Sequence, residues 1–337
     1  MKKSRILLLA AATTLVLSAC GGTEEEATPA PAPAPAAPST PAPAEPEPVA
    51  LDCSAIEFMV PYAPGGGSDQ QVRRLEPGLA EFFGIPINIV YREGAGGAVA
   101  WLALKAAAPD GCTVANVVYP NIVLAQEQDT TGELKADEFT HIIQTETAPQ
   151  TIAVKIDEDR WSTIEEFLAF AKANPGAVTI GGTGRNGEVM AKQINEATGI
   201  EFTYVPMSGG VGDTIPLLAG GNVDAAMFAS SHVESNSELI RGLAVAGSTR
   251  GISANLKDVP AFGELGYDNV TMATTWGVLA PPGVPDEIVA LWNEAIQSAM
   301  TDDVQATLVE RGLSPLGNTP TEAAAFNRSV MDAFGIG

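Results

Sequence analysis

Two glycine-rich segments carry the residue types best suited to holding an anion: Pro64-Gly65-Gly66-Gly67-Ser68-Asp69 and Gly94-Ala95-Gly96-Gly97. Each follows a short apolar run, at 58–62 and 87–91, and each opens a helix-like pattern. Glycine lets the backbone come close to a ligand, and the first-turn N–H groups of the following helix have no intrahelical acceptor. Such a loop binds an anion through amides alone. Two in succession predict one anionic ligand held twice.

Enzyme chemistry is poorly supplied. The only imidazoles are His141, inside a predicted strand, and His232, at the start of a short helix. Neither lies beside a nucleophile motif, and no G-x-S-x-G elbow or H-E-x-x-H helix is present. Gly182, Gly184 and Gly187 spell G-x-G-x-x-G after a strand and before a helix. A dinucleotide site also needs an acid at the end of the next strand, and 202–205 runs into Pro206-Met207-Ser208 instead. The sequence therefore predicts no enzyme, no cofactor and no metal site. The net charge of −23, with only 18 Lys and Arg, argues against nucleic acid as a partner. Screening within about 10 Å leaves a local amide site for a small anion unaffected.

The elements that position the glycine loops begin well inside the chain. Lys2, Lys3 and Arg5 precede an apolar run at 6–17, and Leu17-Ser18-Ala19-Cys20 completes a lipobox. Residues 1–19 read as a signal peptide, leaving Cys20 as a lipidated N-terminus. Residues 20–50 form a tether with nine prolines from Pro29 to Pro48. The expected location is extracytoplasmic, lipid-anchored to a bacterial membrane. Roughly 285 residues remain, enough for two α/β domains.

Strand patterns occur at 58–62, 87–91, 113–118 and 140–144, and a second round at 178–181, 202–205, 223–228 and 242–246. Apolar runs at 151–154 and 274–279 stand in crossover position. The reading is two doubly wound α/β domains that exchange a strand, one of residues 51–150 with 276–337, the other of 151–275. Ligands of such sheets bind beyond the carboxyl ends of the strands, which places the cleft between the domains. Cys53 precedes the first strand and Cys112 starts the third. If those strands are parallel neighbours, the two cysteines lie at one sheet edge and pair; two buried thiols are the alternative.

Val60-Pro61-Tyr62-Ala63-Pro64-Gly65-Gly66-Gly67-Ser68-Asp69, Arg92-Glu93-Gly94-Ala95-Gly96-Gly97 and Ala108-Pro109-Asp110-Gly111-Cys112-Thr113 resemble the first signatures of the tripartite tricarboxylate transporter substrate-binding proteins, the Bug family. Leu218-Ala219-Gly220-Gly221-Asn222-Val223-Asp224, Trp276-Gly277-Val278-Leu279-Ala280-Pro281 and Gly317-Asn318-Thr319-Pro320 follow in the family's order. The resemblance runs from residue 54 to the end. It implies a type II periplasmic-binding-protein-like Venus flytrap, monomeric, that closes on a small carboxylate and delivers it to integral membrane transporter subunits. It further implies that Gly65, Gly66, Gly67, Ser68 and Asp69, with Ala95, Gly96 and Gly97, hold one carboxylate of the ligand. Asp69, the one acid there, reads as a cap or water ligand, because an ionised carboxylate would repel the ligand.

The second domain departs from the family pattern at its loops. Arg185, between Gly184 and Asn186, either pairs with a second carboxylate of the ligand or lies at the solvent rim. Thr183, Asn186, Ser208 and Ser230 are polar candidates. Tyr62, Tyr119, Met207, Phe228 and Trp276 are apolar walls or core. A ligand sensor presenting its closed form to a membrane receptor would use the same chemistry.

Overall fold

The computed structural model describes residues 50–207 and 211–336, all within one compact unit, Pro48–Gly337. The side chains of Thr183 and Asp213 lie outside the description, as do Cys20, the signal peptide, the tether and Ser208. In chain order the first elements are β1 (Ile56–Val60), α1 (Gly67–Phe83), β2 (Ile87–Tyr91), α2 (Ala98–Lys105), β3 (Thr113–Tyr119), α3 (Asn121–Gln128) and β4 (Thr140–Lys155). Then come α4 (Ile164–Ala173), β5 (Thr179–Thr183), α5 (Gly184–Thr198), β6 (Thr203–Met207), α6 (Val211–Ala219), β7 (Ala225–Ala229), α7 (Ser230–Ser235) and β8 (Ile240–Val245). The last are β9 (Ala273–Ala280), α8 (Asp286–Ala299), α9 (Asp302–Glu310), β10 (Ser314–Pro315) and α10 (Pro320–Ala333).

The strands make two half-sheets of the same design. In the first, β2, β1 and β3 are parallel, β9 runs antiparallel beside β3, and β4 follows beside β9. In the second, β6, β5 and β7 are parallel, β4 runs antiparallel beside β7, and β8 follows. Each half-sheet thus takes its antiparallel strand from the other half of the chain, as expected of a two-domain periplasmic-binding-protein-like α/β fold. The strand patterns at 140–144 and 151–154 are one 16-residue strand, β4, that serves both half-sheets. Pro149 and the polar residues around it hide this continuity from a period-2 reading. Pro149 stands opposite Ala273 in the β4–β9 ladder, and bulges elsewhere in that ladder absorb the irregularity.

Alternate residues of the strands face opposite layers. Phe58 and Val60 join α1 and α8 through Leu75, Leu79 and the fully buried Trp292, while Met59 and Val117 join α2 and α3 through Trp101 and Ile122. The second half-sheet repeats this, with Ile180 and Phe167 on one face and Ala226, Phe228 and Leu218 on the other. Burying each such side chain stabilises the fold by about 1.5–3 kcal/mol, which is why apolar runs covered on both faces mark the parallel strands. Cys53 and Cys112 form a disulfide, their Cα atoms 5.8 Å apart, where β1 and β3 begin their parallel ladder at Glu57 and Thr113.

Candidate ligand-binding site

The helices that follow the parallel strands begin at the carboxyl edges of the two half-sheets. Those of α1, α2, α3 and α7 start behind Gly66, Gly97, Pro120 and Ala229, and none has a side-chain cap. Helices elsewhere are finished differently: Thr163, Thr301 and Thr319 cap α4, α9 and α10. α8 also lacks a side-chain cap, but it follows the antiparallel β9 and so starts at the opposite edge. Uncapped helix starts gathered at one sheet edge can offer first-turn amides to an anion, although at α2 the Ala98 and Gly97 amides are already given to Ala95 O and Gly94 O.

The two glycine loops are shaped for this. Gly66 is extended (φ −75°, ψ 175°) and turns the chain into α1. In the second loop Gly94, Ala95, Gly96 and Gly97 all have positive φ (131°, 47°, 66° and 110°), a left-handed run that glycine adopts without penalty. A Cβ at Gly97 would also stand 2.6 Å from the Trp101 ring. Tyr62 ties the loops together: its hydroxyl donates to the Gly96 carbonyl (2.9 Å) and accepts from Asn121 Nδ2 (2.9 Å). Burial pushes the Tyr62 phenol well up, so it remains a donor.

Asp69 is occupied within the protein. Its Oδ2 accepts the Gly65 N–H (2.7 Å), and its Oδ1 accepts from Tyr91 (2.5 Å) and Arg73 (2.9 Å). Burial alone would raise its carboxyl, but Tyr91, Gly65 and Arg73 together hold it below the usual range. Its charge is matched by Arg73, and its hydrogen bonds to Gly65, Tyr91 and Arg73 fix the loop. Ser68 Oγ and Trp276 Nε1 make no hydrogen bond to the described residues. Trp276 packs where a Gly67 Cβ would stand, 2.9 Å from the ring and 3.2 Å from the indole nitrogen. Both polar groups therefore flank the start of α1.

The second half-sheet meets the first through α5. Asn186 Nδ2 donates to Asn121 Oδ1 (3.2 Å), and Arg185 pairs with Glu127 (3.2 Å) and Glu188 (3.0 Å). Arg185 is thus engaged by protein carboxylates. Gly182 and Gly187 pack backbone against backbone, a built Cβ on Gly182 lying 2.9 Å from the Gly187 Cα. The G-x-G-x-x-G spacing serves this close crossing of β5 and α5.

Other candidates are spent in the interior. Met207 and Phe228 lie in the core of the second half-sheet. Ser230 is fully buried and donates to Gly312 O (2.8 Å). Tyr119 shares a hydrogen bond with His141 Nδ1 (2.8 Å), whose Nε2 lies 3.0 Å from Ala136 O. Burial pushes both His141 and His232 down to about 4, leaving neutral imidazoles. Asn121 and Glu127 were not singled out in the sequence. The signal for Asn121 is its place after β3, the third parallel strand of the same edge, behind a cis Tyr119–Pro120 bond. Nothing local marks Glu127, whose partner lies 58 residues away.

A family model described as "Tripartite tricarboxylate transporter family receptor" matches residues 71–331. The chain belongs to this receptor family. It is 25% identical over 279 residues to Protein BugT of Bordetella pertussis, covering 80% of this chain and 84% of that protein. Its fold resembles a structure described as a periplasmic transporter, with a TM-score of 0.74 at 26% identity, covering 83% of this chain and 94% of that one. It also resembles Rpa4515 of R. palustris, solved with adipate, with a TM-score of 0.75 at 24% identity, covering 83% and 95%. The family is one of receptors, not enzymes. Among the described residues of the receptor, no helix is long and apolar enough to cross a membrane.

Proposed function

We propose that this receptor captures a small carboxylate between its half-sheets and hands it to the membrane subunits of a tripartite tricarboxylate-type transporter. The observation that carries the reading is the set of uncapped helix starts at the carboxyl edges of the parallel strands, with two glycine loops locked together by Tyr62. The loop of Gly65, Gly66, Gly67 and Ser68 and the loop of Ala95, Gly96 and Gly97 form the anchor, Asp69 holds the shape of the first through the Gly65 N–H, Gly97 closes the second onto Gly94 O, and Trp276 and Asn121 flank them. The moving bodies are residues 51–150 with 276–337, and residues 151–275, hinged on β4 and β9. Asn186 and Arg185 face the anchor from the second body. Lipidation at Cys20 and the tether of residues 20–50 would hold a monomer at the outer face of a membrane.

The test is calorimetric titration of the purified chain with mono-, di- and tricarboxylates and with the matching uncharged amides. Saturable binding of carboxylates, absent for the amides and accompanied by a higher melting temperature, is the expected result. Equal response to acids and amides would remove the amide anchor from the account.

A further inference from the structure

The charges around the cleft constrain the far end of the ligand. Near the anchor, the one cation paired with a glycine-loop residue among the described residues is Arg73, and its charge is matched by Asp69, so one carboxylate is held by amides rather than by a free cation. At the opposite wall two features would attract a second carboxylate: the Arg185 guanidinium and the amino-terminal end of α5 that carries it. Both are already matched. Glu188, one turn into α5, pairs with Arg185 at 3.0 Å, and Glu127 reaches it from the last turn of α3 at 3.2 Å. These two carboxylates hold Arg185 firmly charged, Glu188 contributing most. Two anions on one cation leave this wall net negative, and the carboxyl-terminal end of α3 adds to the same sign. Six residues of helix separate Asn121, beside the anchor, from Glu127, about 9 Å along the axis. An extended acid of five or six carbons spans that distance.

Resting on the carboxylate-receptor reading above, we infer that the Glu127–Arg185–Glu188 cluster makes the receptor select carboxylates with a single anionic end. A neutral or cationic far end is accommodated and a second carboxylate is repelled. The neighbour solved with adipate holds a dicarboxylate, so this cluster would separate the present chain from a receptor of the same fold.

The experiment titrates the purified chain with hexanoate, adipate and 6-aminohexanoate, and repeats the series with Glu127→Gln and with the Glu127→Gln/Glu188→Gln double variant. Both carboxamide replacements lie on exposed side chains, and unchanged melting temperatures would verify the fold. Adipate should bind the wild type about 3- to 10-fold more weakly than the two single-anion ligands, as expected for charges several Å apart at a part-exposed site. The double variant frees Arg185, so adipate should gain by a similar factor while hexanoate stays unchanged. High salt should narrow the wild-type gap. Wild-type preference for adipate, or equal changes for all three ligands in the variants, would overturn the inference and leave the receptor reading standing. Failure of all three to bind while di- or tricarboxylates of other lengths bind would overturn it in the same way. No binding of any carboxylate would overturn both.

Discussion

Gly66 shows how a single residue can separate stability from function. Its φ of −75° and ψ of 175° are those of an ordinary helix N-cap, and a Cβ there would meet only Ala63 O at 3.5 Å. Asp is a better N-cap than Gly by a few tenths of a kcal/mol, because its carboxylate accepts the open first-turn amides. Gly66→Asp should therefore leave the melting temperature unchanged or slightly higher, while carboxylate affinity falls by about 100-fold or more, since the same amides are taken and a like charge is installed. Retained affinity by calorimetry would remove α1 from the site. Ala95 offers the converse test. At φ 47° it sits in left-handed backbone, which disfavours an L-residue by about 1 kcal/mol, and glycine relieves this at some loss through a freer unfolded chain. Ala95→Gly should raise stability by about 0.5 kcal/mol in thermal unfolding; a clear decrease would show that the turn depends on the methyl group. At this scale the glycine loops were readable because backbone freedom is written in residue type. Arg185 was readable as a cation but not as a matched one, since Glu127 meets it only through the fold.

Among elements, α1 and β4 are joined by buried polar groups rather than by core alone. Arg74 of α1 pairs with Glu146 of β4, and Gln71 donates to Thr145 (2.6 Å) and accepts from Asn116. Burial pushes the Glu146 carboxyl up to about 7 against the opposing pull of Arg74, and burial together with Arg311 draws the Arg74 guanidinium down. The folded state thus binds the Glu146 proton more tightly than the unfolded chain, whose carboxyl ionises near 4.5. Where the folded state binds more protons, stability falls as pH rises, here between about 4.5 and 7, by about 1–3 kcal/mol. Glu146→Gln should flatten that slope in denaturant titrations at pH 5 and pH 7.5. An unchanged slope would assign the pH dependence to other groups. The pairing of α1 with β4 is invisible in sequence because its members lie 72 residues apart. The strand β4 itself was read as two for a related reason: polar and Pro149-containing segments look like loops until two neighbouring strands are seen to pair with them.

For the whole molecule, the repeated order of strand and helix patterns revealed two α/β bodies, because parallel strands covered on both faces must be apolar throughout. What touches across the cleft was less legible, since it rests on polar side chains of α3 and α5. Asn121 is held to the first body through Tyr62, which also holds Gly96, and it accepts from Asn186 of the second body. On the proposed reading, anchor shape and closure share one residue. Asn186→Ala removes its own contact across the cleft and leaves the Arg185–Glu127 pair in place. It should weaken carboxylate binding by about 3- to 10-fold, the worth of one net hydrogen bond, and shift unliganded protein toward a larger radius of gyration in small-angle scattering. Asn121→Ala removes that contact and loosens Tyr62 as well, so its loss should be larger. Because the shared hydrogen bond is already absent in Asn121→Ala, adding Asn186→Ala should cause little further loss, and the double-mutant cycle should report a coupling energy of about 1 kcal/mol. Fully additive losses would mean that the two asparagines act independently, and that the Tyr62–Asn121–Asn186 chain does not carry closure to the anchor.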